Sequence, residues 1–458
     1  MNIINFLENN VRNHPKKIAI FSDDEKITYE KLENDVKKIA AILSKQNKQD
    51  VVSLISGNSI SFIISYLGII KAGKIVHIAP PNISENNLIK QIDSAGSNLI
   101  ICSEKVAENI SKFLKITIPI LKFSDFEEIS NFEEQDFKEN KIAHLIYTSG
   151  TTSEPKGVAI THSMIEFTTK NIVEILSYTN SDVDILPLPL YHSFGLGCVH
   201  TSITIGSTLI LHEDASDLQK LLDSIKKFNA TTIAAIPATL TKFLKFDKTN
   251  LAKYFSNVRL VITNSTVIPK HTIESFREIL ENGYLATYYG LTEASRSTFM
   301  LFQEDITRDE SVGKPAPGVN IKIDSEDNSP GEIMIKGNNV ISKYWKNIDA
   351  DKNLNDGWLR TGDNGILDNE NFLFLKGRKD EIINIGGEKV VPYEIEEVVK
   401  QLSGVEDVVA FGIENEIFGQ VIKLHVVKSL ESNLDKSKIL IYCIKNLEKF
   451  KIPTKIEF

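Results

Sequence analysis

Short runs of β-branched residues alternate with stretches of helical hydrophobic spacing up to about residue 290. Val51–Ile55 and Ile75–Ala79 are typical strands, while Ser84–Ala95 and Ser216–Phe228 place apolar residues at helical intervals. This alternation predicts layered α/β sheets with parallel pairing, and the length allows two such subdomains. The other elements predicted here are the strands Leu99–Cys102, Asp184–Leu186, Ser207–Leu211, Thr231–Ile236, Val258–Thr263 and Tyr284–Tyr288 and the helix Lys270–Asn282.

The longest uncharged stretch is Gly57–Ile70. A membrane span needs about 20 apolar residues, so this stretch predicts a buried helix, packed against a helix at Tyr29–Lys45. The N-terminus, Met1–Arg12, has helical spacing, an acidic residue and no cleavage site, which excludes a signal peptide. No membrane partner is therefore expected.

The pattern changes after residue 310 to strands without intervening helices. Turn-forming pairs such as Gly-Asp and Pro-Gly separate these strands, which predicts a small β-barrel-like subdomain. The strands are Val319–Ile323, Glu332–Lys336, Trp358–Thr361 and Phe372–Leu375.

A charged connection follows at Gly377–Glu381, and beyond it a helix, two strands and a second helix predict a small α+β domain. We therefore place the domain boundary at Lys379, which gives a large α/β domain over residues 1–378 and a small mobile domain over residues 379–458. The predicted elements of the small domain are Tyr393–Leu402, Asp407–Phe411, Val421–Val427 and Lys436–Lys449.

Composition narrows the functional classes. The chain has 42% hydrophobic and 25% charged residues, which is ordinary for a soluble enzyme, and its formal net charge is −9. That charge argues against a nucleic-acid or anionic-membrane surface. Cys102, Cys198 and Cys443 are far apart, so they indicate neither a disulfide framework nor a zinc site, and a reducing cytoplasm is expected.

A hydroxyl-rich run, Tyr147–Gly157, lies between two predicted strands of a hairpin, Ile142–Tyr147 and Val158–Thr161. Backbone N–H groups and Ser/Thr hydroxyls donate to phosphate oxygens, and Lys156 supplies a positive charge. The Walker A loop is excluded because Pro155 precedes this lysine and a glycine follows it. The run therefore predicts a polyphosphate-binding loop of another type. The alternative interpretation is an ordinary polar surface turn.

Four more segments carry chemically unusual residues. Pro187–Gly195 places His192 between a proline-marked strand end and a predicted glycine turn, and Tyr288–Glu293 ends a predicted strand in an aromatic, a glycine and a carboxylate. Trp358–Asp363 and Gly377–Asp380 each offer an acid at a turn. Taken alone, these residues have ordinary structural explanations. Glu293 could be a solvent-exposed carboxylate, Asp363 could stabilise a turn, and His192 could be a core residue whose hydrogen bonds are made within the protein.

In order and spacing, these segments resemble the adenylate-forming superfamily of acyl-CoA and aryl-CoA synthetases, carrier-protein adenylation domains and firefly luciferase. The resemblance covers essentially the whole chain. It implies that Lys156, His192, Thr292 and Glu293 are catalytic, with Thr292 contacting the α-phosphate and Glu293 binding Mg²⁺. The residues that it implies for the β- and γ-phosphates are Thr148, Ser149, Gly150, Thr151, Thr152 and Lys156.

The same resemblance implies further roles. Tyr289, followed by Gly290, would stack on adenine, and Asp363 and Arg378 would hydrogen-bond the ribose hydroxyls. Asp380 would be the hinge about which the small domain swings between half-reactions. Two glycines, Gly386 and Gly387, would approach the incoming thiol arm.

Two departures from the family pattern concern the substrate. Ser265 and Thr266 stand where small residues line the adenine and acyl pocket, so we expect a narrow pocket and a small or medium acid. Adenylation domains for α-amino acids usually carry an aspartate where this chain has Ser193 after His192, so a standard α-amino acid is disfavoured. Asp182 or Asp184 could still pair with an ammonium group.

A third departure concerns the last residues. The family usually has a catalytic lysine after a stretch like Phe450–Phe458, and the glycine–lysine element that carries it is absent. We expect either a shortened version of a longer protein, which we favour, or a natural protein with impaired adenylation. Either reading makes the small domain incomplete and predicts weak adenylation by this chain alone.

The sequence thus predicts an ATP- and Mg²⁺-dependent acid–thiol ligase. It would activate a small carboxylic acid as an acyl-adenylate and transfer the acyl group to CoA or to the phosphopantetheine of an acyl-carrier protein. Three alternatives stay open: a stand-alone enzyme that loads an amino or hydroxy acid on a carrier protein, a nucleotide-binding regulatory protein without turnover, and a phosphotransferase that releases ADP.

Overall fold

A computed structural model gives the conformation of most of the chain. It describes residues 2–23, 25–44, 51–112, 118–127, 141–148, 156–265, 268–325, 329–346, 350–378, 383–385, 388–415, 418–429, 432–447 and 449–458.

Helices are distributed along the whole of this described part. They are α1 Ile3–Asn13, α2 Tyr29–Ser44, α3 Ile60–Lys71, α4 Glu85–Ala95, α5 Glu104–Ile110, α6 Ser124–Glu127, α7 His162–Ile175, α8 Ser193–Ile205, α9 Leu218–Lys227, α10 Pro237–Phe243, α11 Lys248–Tyr254, α12 Lys270–Ile279, α13 Pro392–Lys400 and α14 Lys436–Asn446.

The strands alternate with these helices in the first part of the chain and then follow one another directly. They are β1 Ile18–Ser22, β2 Glu25–Thr28, β3 Val51–Ile55, β4 Ile75–Ala79, β5 Ile100–Cys102, β6 Ile120–Lys122, β7 Ile142–Thr148, β8 Lys156–Thr161, β9 Val183–Leu186, β10 Thr208–Leu211, β11 Thr232–Ala234, β12 Leu260–Thr263, β13 Tyr284–Leu291, β14 Ala294–Leu301, β15 Lys314–Pro315, β16 Val319–Asp324, β17 Gly331–Gly337, β18 Leu354–Asn355, β19 Trp358–Leu367, β20 Leu373–Arg378, β21 Ile383–Ile385, β22 Glu388–Val390, β23 Val405–Asn415, β24 Gly419–Lys428 and β25 Lys455–Glu457.

Two mainly parallel sheets form the α/β body. One has the strand order β15-β14-β13-β12-β11-β9-β10-β1-β2, and its antiparallel strands, β2, β14 and β15, lie towards its two edges. The other has the order β6-β5-β3-β4-β7-β8, in which only the β7–β8 hairpin pairs antiparallel among the described strands. The two predicted α/β subdomains and their hairpin are confirmed.

Local sequence explains why these elements form where they do. Every residue of β3 is buried, as expected for a central strand covered on both faces. The α4 helix begins because the Ser84 hydroxyl accepts a hydrogen bond from the Asn87 N–H, and it ends at Gly96 in the left-handed conformation. The uncharged stretch after Gly57 forms the buried helix α3, which packs against α2 as predicted.

The remaining strands form two smaller sheets. One has the order β16-β17-β19-β18, with β20 paired to β19, and corresponds to the predicted β-rich subdomain. The other has the order β22-β21-β24-β23, with β25 paired to β24. Its core contains Ile395 of α13, Ile422 of β24 and Ile439 of α14, so this part has its own hydrophobic centre.

The chain divides into two compact units. The first comprises Met1–Asn320 and Ile335–Leu359, and the second comprises Ile321–Met334 and Arg360–Phe458. Residues 379 and 380 lie outside the described residues, so the boundary between 378 and 379 and the hinge at Asp380 stay predictions. Among the described residues, no helix combines the length and the apolar character needed to cross a bilayer.

Candidate active site

The β7–β8 hairpin positions the first predicted phosphate ligands. Thr148 pairs with Lys156, so both stand at the base of the loop that the hairpin carries. Residues 149–155 lie outside the described residues, and with them the predicted ligands Ser149, Gly150, Thr151 and Thr152. The contacts of these residues with phosphate therefore stay predictions.

Gly157 has a structural task next to Lys156. A Cβ on this residue would lie 3.1 Å from the Trp345 Cβ and 3.1 Å from the Tyr147 ring, which is too close for an ordinary contact. The Trp345 N–H also donates to the Gly157 carbonyl at 2.8 Å. The glycine thus brings another segment of the chain against β8.

That segment, residues 340–345, also forms hydrogen bonds with Glu293. The Tyr344 backbone bridges Val158 of β8, and the Tyr344 hydroxyl donates to Glu293 Oε1 at 3.0 Å. The Ile341 N–H donates to the Glu293 carbonyl at 3.0 Å. The strand that begins at Lys156 and the Glu293 carboxylate are therefore fastened to the same short segment, although they are far apart in sequence.

Thr292 and Glu293 form the two-residue turn between β13 and β14, where Leu291 pairs with Ala294. The sequence predicted a strand end here but not the returning strand β14. A tight turn fixes the carboxylate at the tip of a hairpin. Burial, together with the adjacent Glu293 carboxylate, raises the pKa of Tyr344, so this hydroxyl stays a hydrogen-bond donor.

The donor set is compatible with Mg²⁺. No group of three or more His, Cys, Asp or Glu side chains that could hold a metal occurs among the residues the structure describes. Mg²⁺ is commonly bound by one or two carboxylates together with substrate phosphates and water. Tyr344 occupies one side of Glu293, and a carboxylate has about four lone-pair sites, so capacity for a cation remains.

The predicted glycine turn after His192 is wrong. His192 is the N-cap of α8, and Gly195 lies within the first turn of that helix. The His192 side chain is exposed, yet the surrounding protein desolvates it enough to lower its pKa. Ser193 begins the helix and lines a cavity together with Thr292, which brings the two segments to one place.

This cavity, called here the outer cavity, lies beside the turn that carries Thr292 and Glu293. The residues that line it are His144, Ile160, Met164, Ile165, Thr168, Ser193, Leu196, His200, Thr292, Ser295, Arg296 and Asn339.

The predicted adenine-site residues lie at adjacent strand ends of the large sheet. Tyr289 is buried in β13, and Gly290 follows it where the β13–β14 pairing shifts register. Ser265 follows β12 with φ of +92°, a backbone conformation that costs a non-glycine residue energy and occurs often at functional sites. Thr266 lies outside the described residues.

The pair assigned to the ribose lies in the second unit. Arg378 Nε is 3.0 Å from Asp363 Oδ1, and the two residues face each other in the β19–β20 pairing. The Asp363 side chain is 14% exposed and the Arg378 side chain 51%, so the guanidinium retains open donors. An acceptor and a fork donor held side by side suit a cis-diol, and the contact with ribose stays a prediction.

Both alternative acids have structural partners. Asp182 forms a salt bridge with Arg259 at 2.6 Å and also accepts hydrogen bonds from Thr179 and Thr231. Asp184 is buried and accepts hydrogen bonds from Ser207 and Thr232. Both carboxylates already accept hydrogen bonds from neighbouring residues. Neither is therefore a good candidate to pair with the ammonium group of a substrate.

Three residues near the site were missed in the sequence: Tyr344, Trp345 and Arg296. Tyr344 and Trp345 hold the hairpin to the Glu293 turn, and the Trp345 indole also donates to the Ala95 carbonyl at 3.2 Å. Aromatic residues in a loop after the β-rich strands carry no signal of such contacts. Arg296 stands only three residues after Glu293, and this closeness in sequence was a signal that it lies near the site.

The layered α/β fold, the predicted phosphate-binding loop and the turn that carries Glu293 together favour a nucleotide-binding enzyme. Comparison with known families then identifies it further. The AMP-binding enzyme family matches residues 7–345. The chain therefore belongs to the AMP-binding enzyme family.

Individual relatives are acid–CoA ligases. The chain is 28% identical to the 2-succinylbenzoate–CoA ligase of Bacillus subtilis over 465 residues, which cover 98% of this chain and 93% of the relative. It is 28% identical to the long-chain-fatty-acid–CoA ligase of Haemophilus influenzae over 514 residues, with 100% and 91% covered.

Solved structures agree in fold. The o-succinylbenzoate CoA synthetase from Bacillus subtilis, in complex with its acyl-adenylate intermediate, superposes with a TM-score of 0.87 at 26% identity, with 99% of this chain and 94% of that chain covered. The same enzyme in complex with ATP and magnesium ion gives a TM-score of 0.86 at 26% identity and coverages of 99% and 95%.

Proposed function

We propose that this protein is an ATP- and Mg²⁺-dependent ligase that converts a small or medium carboxylic acid into an acyl-adenylate and then into a thioester. The observation that carries the proposal is the Tyr344 segment, which joins the β8 strand of Lys156 to the Glu293 carboxylate. A cationic donor and a metal-competent acid joined through one segment suit a polyphosphate. The acid–CoA ligases among the relatives support the reaction class.

The chemistry explains the need for these groups. A carboxylate resists attack by a thiol until one of its oxygens becomes part of a good leaving group, and transfer of AMP to that oxygen provides one. The acid oxygen attacks the α-phosphorus, the bond from that phosphorus to the bridging oxygen breaks, and pyrophosphate leaves. Both reactants are anionic, so cations must offset the charge that builds in the transition state.

Each residue then has a defined task. Lys156 would balance charge on the departing pyrophosphate, and Thr292 would donate to the α-phosphate from the β13–β14 turn. Glu293 would hold Mg²⁺, which when bound neutralises phosphate charge and polarises the reacting phosphorus. Asp363 and Arg378 would orient the ribose, and Tyr289 would pack against adenine. Protein-based covalent catalysis is not required.

The second half-reaction would release AMP. The thiolate sulfur attacks the acyl carbon, the carbon–oxygen bond to AMP breaks, and a thioester forms. CoA is the acceptor that the relatives favour. The phosphopantetheine of an acyl-carrier protein has the same thiol arm and is the second acceptor we propose to test.

Pyrophosphate–ATP exchange with a panel of carboxylic acids tests the first half-reaction, and chromatography of the nucleotides identifies the products. We expect acid-dependent exchange with AMP as product, followed by thioester formation with CoA. ADP as the product would instead indicate a phosphotransferase. ATP binding without exchange for any acid would indicate a regulatory protein, and the exchange rate itself tests the expected weakness of adenylation.

Two variants test the Glu293 arrangement within the same assay. Glu293→Gln removes the charge that would hold the metal, so we expect exchange to fall by about 10²- to 10³-fold and to need more Mg²⁺. Tyr344→Phe keeps the ring but removes the hydroxyl that orients Glu293, so a loss of about 10-fold or more is expected. Exposed Glu304→Gln serves as the control and should leave the rate unchanged. Equal rates in all three variants would contradict the assignment.

A further inference from the structure

A buried cation beside the reaction centre has incomplete hydrogen bonding. Arg296 is 5% exposed, and its Nε has no hydrogen-bond partner among the described residues. One terminal nitrogen donates to the Ser295 hydroxyl at 3.0 Å, and the guanidinium carbon lies 5.3 Å from the centre of the Tyr288 ring. No carboxylate of the described residues forms an ion pair with this guanidinium. A buried charge without a charged partner is costly, so its retention needs a reason.

An irregular backbone conformation in β14 orients the Arg296 side chain. Arg296 has φ of +56°, an uncommon conformation for a non-glycine residue, at the point where β13 and β14 shift register. The Asn339 amide donates to the Ser295 carbonyl at 3.1 Å and to the Ser297 hydroxyl at 2.9 Å, which fixes the irregular strand. Such strain persists where the surrounding structure holds it and is common at ligand sites.

Helix α8 leaves room for the guanidinium. Gly197 faces it, and a Cβ at that position would overlap the terminal nitrogen. Arg296 consequently lines two cavities at once. The outer cavity contains Thr292, and the second, called here the inner cavity, lies behind Arg296 and is lined by Asp184, Phe194 and other residues.

The charges around the two cavities decide which side a ligand would use. His144 and His200 line the outer cavity and share hydrogen bonds with the Tyr66 hydroxyl. Burial lowers the pKa of both, that of His144 to about 3, so both rings are neutral near pH 7. The inner cavity contains a carboxylate, Asp184, which disfavours an anion there. An anionic group would thus meet Arg296 from the outer cavity.

We propose that Arg296 is a specificity-determining residue that binds a second carboxylate of the substrate, so that the preferred acids are short dicarboxylic acids. This inference rests on the proposed ligase function. One carboxylate would react at the α-phosphate beside Thr292 while the other accepts hydrogen bonds from the guanidinium. Arginine matches a carboxylate with two parallel donors. Thr292 and Arg296 line the same cavity, so the chain between the two acid groups must be short.

The test compares matched acids on the full chain. Pyrophosphate exchange is measured with succinate, glutarate and adipate, with the half-amide of each, and with the monocarboxylic acids of the same chain lengths. We expect kcat/KM for the best dicarboxylic acid to exceed that of its half-amide by about 10- to 100-fold. This comparison requires no variant, so it does not depend on the folding of a mutant.

Variants then attribute the preference to the guanidinium. Arg296→Met keeps most of the volume and removes the charge, so the preference for the dicarboxylic acid should vanish while exchange with the monocarboxylic acid persists. Arg296→Lys should retain part of the preference. Arg308→Met is the control, because Arg308 lines neither cavity and pairs with Asp305; its selectivity should equal that of the unmodified chain.

The outcomes separate the two proposals. Exchange with monocarboxylic acids that equals or exceeds that with dicarboxylic acids, unchanged in Arg296→Met, would overturn the role of Arg296 and leave the ligase function intact. Absence of exchange with every acid, together with no acid binding by calorimetry in the presence of ATP and Mg²⁺, would overturn both. Calorimetry also supports the inference if dicarboxylic acids bind and Arg296→Met abolishes that binding.

Discussion

At the residue scale, the two aspartates at the start of β9 show how environment sets the behaviour of one side-chain type. Asp184 is enclosed, and burial raises its pKa to about 6 in spite of the hydroxyls of Thr232 and Ser207. Burial acts in the same direction on Asp182, but the hydrogen bonds from Arg259 and its neighbours outweigh it and lower the pKa. The two carboxylates therefore contribute to stability with opposite dependence on pH.

Asp184→Asn is expected to stabilise the protein above pH 6. Between the unfolded pKa near 4 and the folded pKa of about 6, the folded state binds more protons, so stability falls as the pH rises through that window. The cost of ionising the buried Asp184 carboxyl is on the order of 3 kcal/mol and is fully present above pH 6. Urea unfolding at pH 4.5 and pH 8 should show a gain for the variant mainly at the higher pH.

Asp182→Asn provides the matched comparison. Its folded pKa is lowered, so its stabilising contribution is present above the unfolded pKa and is lost as the pH falls through the folded value. The variant should lose about 3 kcal/mol at pH 8, because the Arg259 guanidinium then lacks its partner, and less at low pH. The same sign of change in both variants at pH 8 would contradict this account.

At the element scale, the proposed active site depends on how the β7–β8 hairpin packs against the segment that contains Trp345. Gly157 lets the two backbones approach, and the bond from the Trp345 N–H holds them. The hairpin is local in sequence, but this contact is not. Correct placement of Lys156 therefore relies on packing as well as on the turn chemistry of its own loop.

Gly157→Ala should disturb this contact. The added methyl group would meet Trp345 and Tyr147 at 3.1 Å, so we expect a loss of about 1–3 kcal/mol in unfolding free energy and a higher KM for ATP. Gly57→Ala is the matched control, because a Cβ there has no atom within 4 Å among the described residues. Thermal unfolding and exchange kinetics measure both effects, and similar results for the two variants would refute the packing argument.

At the scale of the whole molecule, a chain with net charge −9 is proposed to bind a polyanion. The attraction must therefore come from local donors and from Mg²⁺ rather than from the overall field. The described residues also separate into two compact units, and the proposed ribose pair belongs to the second unit, whereas Lys156 and Glu293 belong to the first. The hinge at Asp380 stays a prediction.

Asp380→Pro tests that hinge. Proline fixes φ near −65° and removes a backbone donor, so it would restrict the rotation of the backbone at this residue. We expect pyrophosphate exchange to persist while thioester formation falls by at least about tenfold. Asp380→Ala, which keeps the backbone free, is the control for loss of the side chain. Equal effects of proline and alanine on both half-reactions would argue against a hinge at this position.

Much of the fold was predictable because local pattern and local chemistry agree. The strands β3 and β4 and the helix α4 follow directly from apolar spacing and from capping by Ser84. Strand β14 was missed because its buried residues include the polar Ser297 and Thr298, whose hydroxyls donate to the carbonyls of Ala294 and Val312. Helix α8 was missed because two glycines and several β-branched residues lower its helix propensity.

The sequence by itself determined the alternation of elements, the hydroxyl-rich hairpin loop and the order of motifs, since each of these is written in neighbouring residues. Only the tertiary structure decided that Tyr344 bonds Glu293 across 51 residues and that Trp345 fills the space at Gly157. It also decided that Arg296 is buried and lines the same cavity as Thr292. Such contacts depend on how distant segments pack, and residue spacing along a chain carries no direct information about them.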